Sequence, residues 1–309
     1  MIACETVLEL LCVADMCVDL ILTGDVRPCF GQAEQLVEDY FLELGGSANL
    51  VACQFAKLGG QAGVLGWLGG DLFGDFALRR LGECGVDTAL VRRNQGMKTG
   101  IGVALAEPGD RAILTYSGTI GAVRPDQLEP GLLTRFRHWH VASYFLMPSL
   151  RPVWPSWLRR CKEAGRTTSF DPNWDPSERW EGVAELLPWL DVLLPNEQEA
   201  LAITGAGHVY AAGRQLASRG PLVVIKRGAK GALAFQDARV WEQLPSAQPA
   251  IVDTVGAGDN FAAGFLRGWL LGWTVPDCLQ LAERCAVASL GCGGGIAGQI
   301  REIHPRVPA

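Results

Sequence analysis

Residues 253–272 read DTVGAGDNFAAGFLRGWLLG. Gly256, Ala257 and Gly258 carry little or no side chain, so successive backbone N–H groups can converge at the first turn of the apolar helix that follows. The positive end of that helix suits an anion. The segment therefore reads as a phosphate cradle, with Asp259 beside it. A carboxylate there is electrostatically awkward unless it takes a proton from an attacking hydroxyl. The same residue type also suits the first turn of any helix, so the segment alone leaves both readings open.

Outward from this segment, short β-rich runs alternate with helical ones. Thr6–Ala14, 62–68, 138–142, Thr167–Phe170, 191–194 and Leu222–Lys226 read as strands. Residues 48–58, 72–81 (closed by Gly82), 154–164, 197–203, 257–271 and 276–290 read as helices. This alternation predicts an α/β fold, a mostly parallel sheet flanked by helices on both faces. The opening 22 residues, MIACETVLELLCVADMCVDLIL, have no basic n-region and read as a buried strand. Two stretches break the rhythm: residues about 20–44 and about 93–120, the latter containing strand, Pro-Gly-Asp turn and strand. Both read as a small β lid over the carboxyl ends of the strands, where ligands bind in such sheets. No linker or repeat divides residues 1–309, which predicts one domain.

With 27 basic and 33 acidic residues and a net charge of -6, the chain lacks an electrostatic footprint for nucleic acid or an anionic membrane. No apolar run reaches the ~18 residues of a membrane span, and a cytoplasmic location is expected. Ten cysteines include no C-x-x-C pair; they read as reduced core thiols, Cys278, Cys285 and Cys292 as a stripe along one helix. Glycine is abundant, 38 of 309 residues, against ~7% in an average protein, which predicts many tight turns.

The run at 253–259 matches, position by position, the C-terminal signature Asp-Thr-x-Gly-Ala-Gly-Asp of the ribokinase-like (PfkB) carbohydrate kinases, which this chain resembles. The resemblance implies a three-layer ribokinase-like fold, Asp259 as catalytic base, and Gly256, Ala257 and Gly258 as an anion hole. It also implies that Asp253 lies near a monovalent-cation (K+) site in members that use one. Gly45-Gly46-Ser47-Ala48-Asn49, followed by an apolar helix, resembles the family's N-terminal signature with one residue fewer before the Asn. Gly45, Gly46 and Asn49 are then sugar contacts; read locally, the segment is a helix start with a Ser cap. Asp19, taken as the end of the first strand, aligns with the aspartate that bridges two sugar hydroxyls. Asp171 and Asn173 match a substrate-binding Asp-x-Asn-x-Arg stretch, whose Arg position holds Asp175; this argues against an acidic sugar.

Asn196 and Glu199 resemble the family's Asn-x-x-Glu element, which holds water and Mg2+ near the nucleotide phosphates; a capped helix start looks the same locally. Lys226, Gly228 and Gly231 resemble the strand and turn that carry the nucleotide. The expected activity is ATP-dependent phosphorylation of a small neutral sugar, with Mg2+ and in some members K+. A nucleoside kinase of the same fold and a non-catalytic sugar sensor are the alternatives. Relatives dimerise through lid strands, and Ile101–Leu105 is the apolar segment for such pairing. Gly293, Gly295 and Gly298 match G-x-G-x-x-G but follow a helix, which does not suit dinucleotide binding. His138 and His140 share a strand face and read as buried imidazoles. Arg and Trp interleaved over 151–160 read as an amphipathic helix with Trp inward.

Overall fold

The computed structural model describes residues 7–107, 110–246 and 251–301. Its strands are β1 (Leu8–Val13), β2 (Cys17–Thr23), β3 (Asp39–Gly45), β4 (Ala62–Gly69), β5 (Asp87–Asn94), β6 (Gly100–Glu107), β7 (Asp110–Tyr116), β8 (Phe136–Val141), β9 (Thr167–Phe170), β10 (Val192–Leu193), β11 (Leu222–Lys226), β12 (Ala232–Gln236) and β13 (Arg239–Gln243). The helices are α1 (Ser47–Lys57), α2 (Leu72–Glu83), α3 (Leu132–Arg135), α4 (Trp154–Glu163), α5 (Val183–Leu186), α6 (Glu197–Thr204), α7 (Val209–Ala217), α8 (Ala257–Leu270) and α9 (Val275–Ser289).

Nine strands form one sheet in the order β13-β12-β11-β10-β9-β8-β1-β4-β5. From β11 to β5 every neighbour is parallel, and β12 and β13 close one edge antiparallel. Side chains alternate along β1: Leu10 and Cys12 join a core with α1 and α8, whereas Leu11 and Val13 join a second core with Trp139 and Trp154. All four are fully buried. That two-sided burial makes three layers, each buried Leu or Val contributing about 1.5–3 kcal/mol.

A second sheet, ordered β3-β2-β6-β7, stands apart from the first. The opening apolar run is therefore two strands and not one. The chain leaves the large sheet after Val13, crosses through buried Ala14, Asp15 and Met16, and enters β2. Asp19 consequently lies within β2 of the second sheet, not at the end of the first strand. Both stretches that break the strand–helix rhythm contribute to this sheet, although Pro108 and Gly109 of the expected turn lie outside the described residues. Ile101–Leu105 falls in β6, hydrogen-bonded on both sides by β2 and β7, so it has no free edge for pairing with another chain. Exposed apolar side chains lie instead on β3 (Tyr40, Leu42) and β7 (Ile113, Leu114, Tyr116).

Other expectations resolve locally. Gly82 lies inside α2, which runs on to Glu83; the reversal is made by Gly85 at φ +82°. His138 and His140 are fully buried and hydrogen-bonded to Thr167 and Ser169 hydroxyls. Trp154 and Trp157 point into the core from α4. Cys278 and Cys285 are buried along α9, but Cys292 lies beyond its end.

Candidate active site

The carboxyl ends of five parallel strands deliver Asp15 (after β1), Ser143 (after β8), Asp171 and Asn173 (after β9), Asn196 (after β10) and Lys226 (ending β11). The N-terminus of α8 faces them. Gly256 occupies its N-cap position with φ +75°, and no side chain caps this end. A Cβ on Gly256 would meet Gly295 Cα at 2.7 Å, so only glycine permits the turn. Asp253 shapes the same loop: its Oδ1 accepts from Val255 N at 3.0 Å and its Oδ2 from Gly294 N at 2.9 Å. Gly294 and Gly295 thus brace the loop before α8.

Lys226 Nζ lies 3.5 Å from where a Cβ of Gly258 would sit, and it is paired with Asp171 Oδ2. The cradle accordingly combines helix-end N–H groups with a cation. Asp259, in the first turn of α8, is next to it and accepts from Ser47 Oγ. These groups wall a cleft of about 640 Å³ that runs from Asn173 and Asp259 past Gly228 and Gly231 to Val287 of α9.

The second sheet contributes Asp19, paired in register with Glu43 and Gly102 and within electrostatic reach of Asp15 and Asp253. Cβ atoms on Gly45 and Gly102 would come within 2.5 and 2.6 Å of Asp19 Oδ1. Two glycines therefore keep the Asp19 carboxylate uncrowded. Gly46, at φ +86°, starts α1, and Asn49 Nδ2 donates to Gly45 O at 2.9 Å, leaving the buried Asn49 Oδ1 unpartnered. Ser47 does not cap α1, because it is the first helical residue; Asp15 does, accepting from Ser47 N and Ala48 N at 3.1 and 3.2 Å.

So many acids in one place move proton affinities. Burial, then the charge of Asp171, pushes Asp259 up to about 7 against the Ser47 hydrogen bond and Lys226. Burial and Asp15 raise Asp19 to about 7 despite Arg111, and burial with Asp171 raises Glu199 to about 7 despite Lys226. Burial pulls Lys226 down, but Asp171 and Glu199 outweigh it and leave the ammonium held above its usual range. Asp259, Glu199 and Lys226 border one cleft, which makes it the candidate active site.

Asn196 and Glu199 form a reciprocal capping box on α6, each side chain bonded at 2.8 Å to the other's backbone N–H. Glu199 is 4% exposed and still borders the cleft. Gly228 and Gly231 (φ +54° and +79°) make the β11–β12 turn on the cleft wall. Asp175 turns away into its own loop, accepting from Ser177 N and Oγ, Arg179 N and Trp180 N.

Sequence reasoning passed over Asp15, Ser47, Ser143 and Arg111 as site residues. Asp15 lies in the opening run that reads as one buried strand, and Ser47 reads only as a cap. Arg111 reaches from β7 to Thr254 Oγ1 at 2.9 Å, a contact 143 residues long in sequence.

The chain is similar to several known proteins. An ATP-dependent ribose-1-phosphate kinase of Halopiger xanaduensis is 33% identical over 252 residues, 81% of each chain. The structure of Arabidopsis thaliana ribokinase complexed with ribose and ATP matches at a TM-score of 0.80 with 23% identity over 96% of each chain. Adenosine kinase of Sinorhizobium meliloti matches at 0.83 with 23% identity, over 94% of this chain and 96% of that one. The fold is therefore ribokinase-like. Since the family model of the pfkB carbohydrate kinases also matches from residue 7 to 301, the chain belongs to the pfkB family of carbohydrate kinases, enzymes that transfer a phosphoryl group to an alcohol.

Proposed function

We propose that this enzyme transfers the γ-phosphoryl group of ATP to a hydroxyl of a small neutral sugar, with Asp259 as the catalytic base. The observation that carries the reading is the adjacency of three things: a carboxylate of raised proton affinity, an uncapped helix end of Gly-Ala-Gly, and the Lys226 ammonium. A general base must sit within hydrogen-bond reach of the proton it abstracts, here that of a hydroxyl placed to attack the phosphoryl group held at the helix end. In the loose transition state of phosphoryl transfer, charge gathers on the equatorial oxygens, and Gly256–Gly258 with Lys226 stabilise it by position and charge.

In this reading the sugar lies under the second sheet, which acts as a lid on a single catalytic domain. Asp19 accepts from two hydroxyls while Gly45, Gly46 and Asn49 frame them, and buried Asp171 fixes Lys226 at the acceptor's edge. ATP runs along Asn196, Lys226, Gly228 and Gly231, its adenine toward the apolar α9 wall of Ala286, Val287 and Leu290. Glu199 suits Mg2+: a buried carboxylate with only Oε2 bonded, offering hard oxygen through water. The ion, when bound with the nucleotide, neutralises phosphate charge. Both Asp253 oxygens are engaged by backbone N–H groups, so its part in this reading is to order the two loops beside the K+ site. A homodimer through the exposed face of the second sheet and a cytoplasmic location complete the reading; light scattering at micromolar concentration tests the first.

Asp259→Asn is expected to lower turnover by about 10²–10⁴-fold with acceptor affinity nearly unchanged; near-normal turnover overturns the assignment. ADP release across ribose, ribose 1-phosphate, fructose, tagatose and nucleosides, with and without K+, identifies the acceptor. A second reading, a nucleoside acceptor, is favoured by Trp174, which is 45% exposed on the cleft wall and offers a stacking face.

A further inference from the structure

Ser47 is the side chain bonded to Asp259, and it belongs to a closed ring of four residues from which Asp259 branches. Ser47 Oγ donates to Asp259 Oδ1 and accepts from Asn173 Nδ2 at 3.1 Å. Asn173 Oδ1 accepts from Ser143 N at 2.6 Å, and Ser143 Oγ donates to Asp15 Oδ2 at 2.5 Å. Asp15 returns to the start by accepting from Ser47 N and Ala48 N. The ring joins the ends of β1, β8 and β9 to the first turn of α1, and through Ser47 it reaches Asp259 in the first turn of α8.

Its proton directions are determined by chemistry. A backbone N–H can only donate, so the Asn173 atom facing Ser143 N must be the oxygen, and the atom facing Ser47 must be the NH2. That NH2 can only donate, which leaves the single Ser47 proton for Asp259. The ring is held with unusual backbone: Ser143 and Asn173 adopt φ of +51° and +53°, a left-handed region that non-glycine residues other than Asn and Asp seldom enter. Such backbone persists where surrounding bonds over-determine it.

We propose that Ser47 is a positioning residue for phosphoryl transfer: it ties down Asp259 Oδ1 and leaves Oδ2 as the oxygen that takes the acceptor proton. This rests on the reading of Asp259 as base. The groups that face Asp259 are Ser47 from α1, Lys226 from β11, and the carboxylates of Asp171 and Asp15 from the ends of β9 and β1. Asp171 and Asp15 favour the protonated form; Ser47 and Lys226 oppose them. Removing the Ser47 donor therefore raises the proton affinity of Asp259.

The test is the pH profile of kcat at saturating nucleotide and acceptor for the wild type, Ser47→Ala, Ser47→Thr, Asn173→Ala and Asp259→Asn. Ser47→Ala should move the acid limb up by about one pH unit and lower kcat about tenfold below it, with KM for ATP unchanged. Ser47→Thr, which keeps the hydroxyl, should restore the wild-type limb. Asn173→Ala, which frees the Ser47 proton to turn elsewhere, should shift the limb in the same direction and serves as the probe where Ser47→Ala does not fold. An unmoved acid limb in both alanine variants, with Asp259→Asn inactive, overturns the role of Ser47 alone. An active Asp259→Asn overturns the underlying base assignment instead.

Discussion

Lys226 and Asp171 form an ion pair between the ends of β11 and β9, the lysine side chain 13% exposed and the aspartate 1%. The second Asp171 oxygen is buried without a partner. Such a pair adds little net stability, because both charges are desolvated, but removing one member strands the other. Its value lies in keeping an ammonium fixed beside the Gly258 backbone.

Lys226→Met should therefore destabilise the fold by about 3–5 kcal/mol in urea denaturation and abolish turnover. The double variant Lys226→Met/Asp171→Leu should regain most of the stability and none of the turnover. Recovery of activity in the double variant would show that the cradle does not use the cation.

Asp259 should trade stability for activity. Its folded-state proton affinity, raised to about 7 from an ordinary 3.8, means that the unfolded chain ionises first as pH rises. Stability is thus present below the ordinary value and lost as pH climbs through about 7. Asp259→Asn, inactive, should melt about 2–5 °C above the wild type at pH 8, the gain shrinking toward pH 5. Equal melting temperatures at pH 8 would contradict the buried-charge argument.

Wild-type turnover should fall on acidification through pH near 7, because Asp19, Glu199 and Asp259 all gain protons there. Several carboxylates titrating together make that limb steeper than one proton allows. A limb of unit slope would leave only one of them essential.

Gly102→Ala places a methyl within 2.6 Å of Asp19 Oδ1. The carboxylate must turn, so KM for the acceptor should rise about tenfold or more while KM for ATP stays within about twofold. An unchanged acceptor KM would remove Asp19 from the substrate site.

Asp175→Arg restores the residue type that the neighbouring motif leads one to expect, yet should confer no activity on acidic sugars. The native carboxylate organises its own turn through the bonds to Ser177, Arg179 and Trp180. Their loss should cost about 1–3 kcal/mol, read as a lower melting temperature. Gain of turnover on a sugar acid would show that position 175 faces the substrate.

The alternation of the main parallel strands with helices, the α/β class, the glycine turn that opens α8 and the presence of extra β structure were legible in the sequence, because each rests on local periodicity, on glycine's freedom at turns, or on a contiguous run of residues; β5, α7, β12 and β13 were not read from it. Helix and strand faces repeat every few residues, so burial leaves its mark directly in the chain. What only the tertiary structure decided depends on contacts between distant segments. The change of sheet at Ala14–Met16 was invisible because two buried strands in series read as one apolar run. Asp15 as the cap of α1, the Lys226–Asp171 pair, and the ring of Ser47, Asn173, Ser143 and Asp15 with its branch to Asp259 bring together residues up to 212 positions apart. No spacing rule relates such positions, since it is the parallel sheet that gathers its strand ends at one edge, and a hydrogen bond depends on ångström geometry that residue order does not carry.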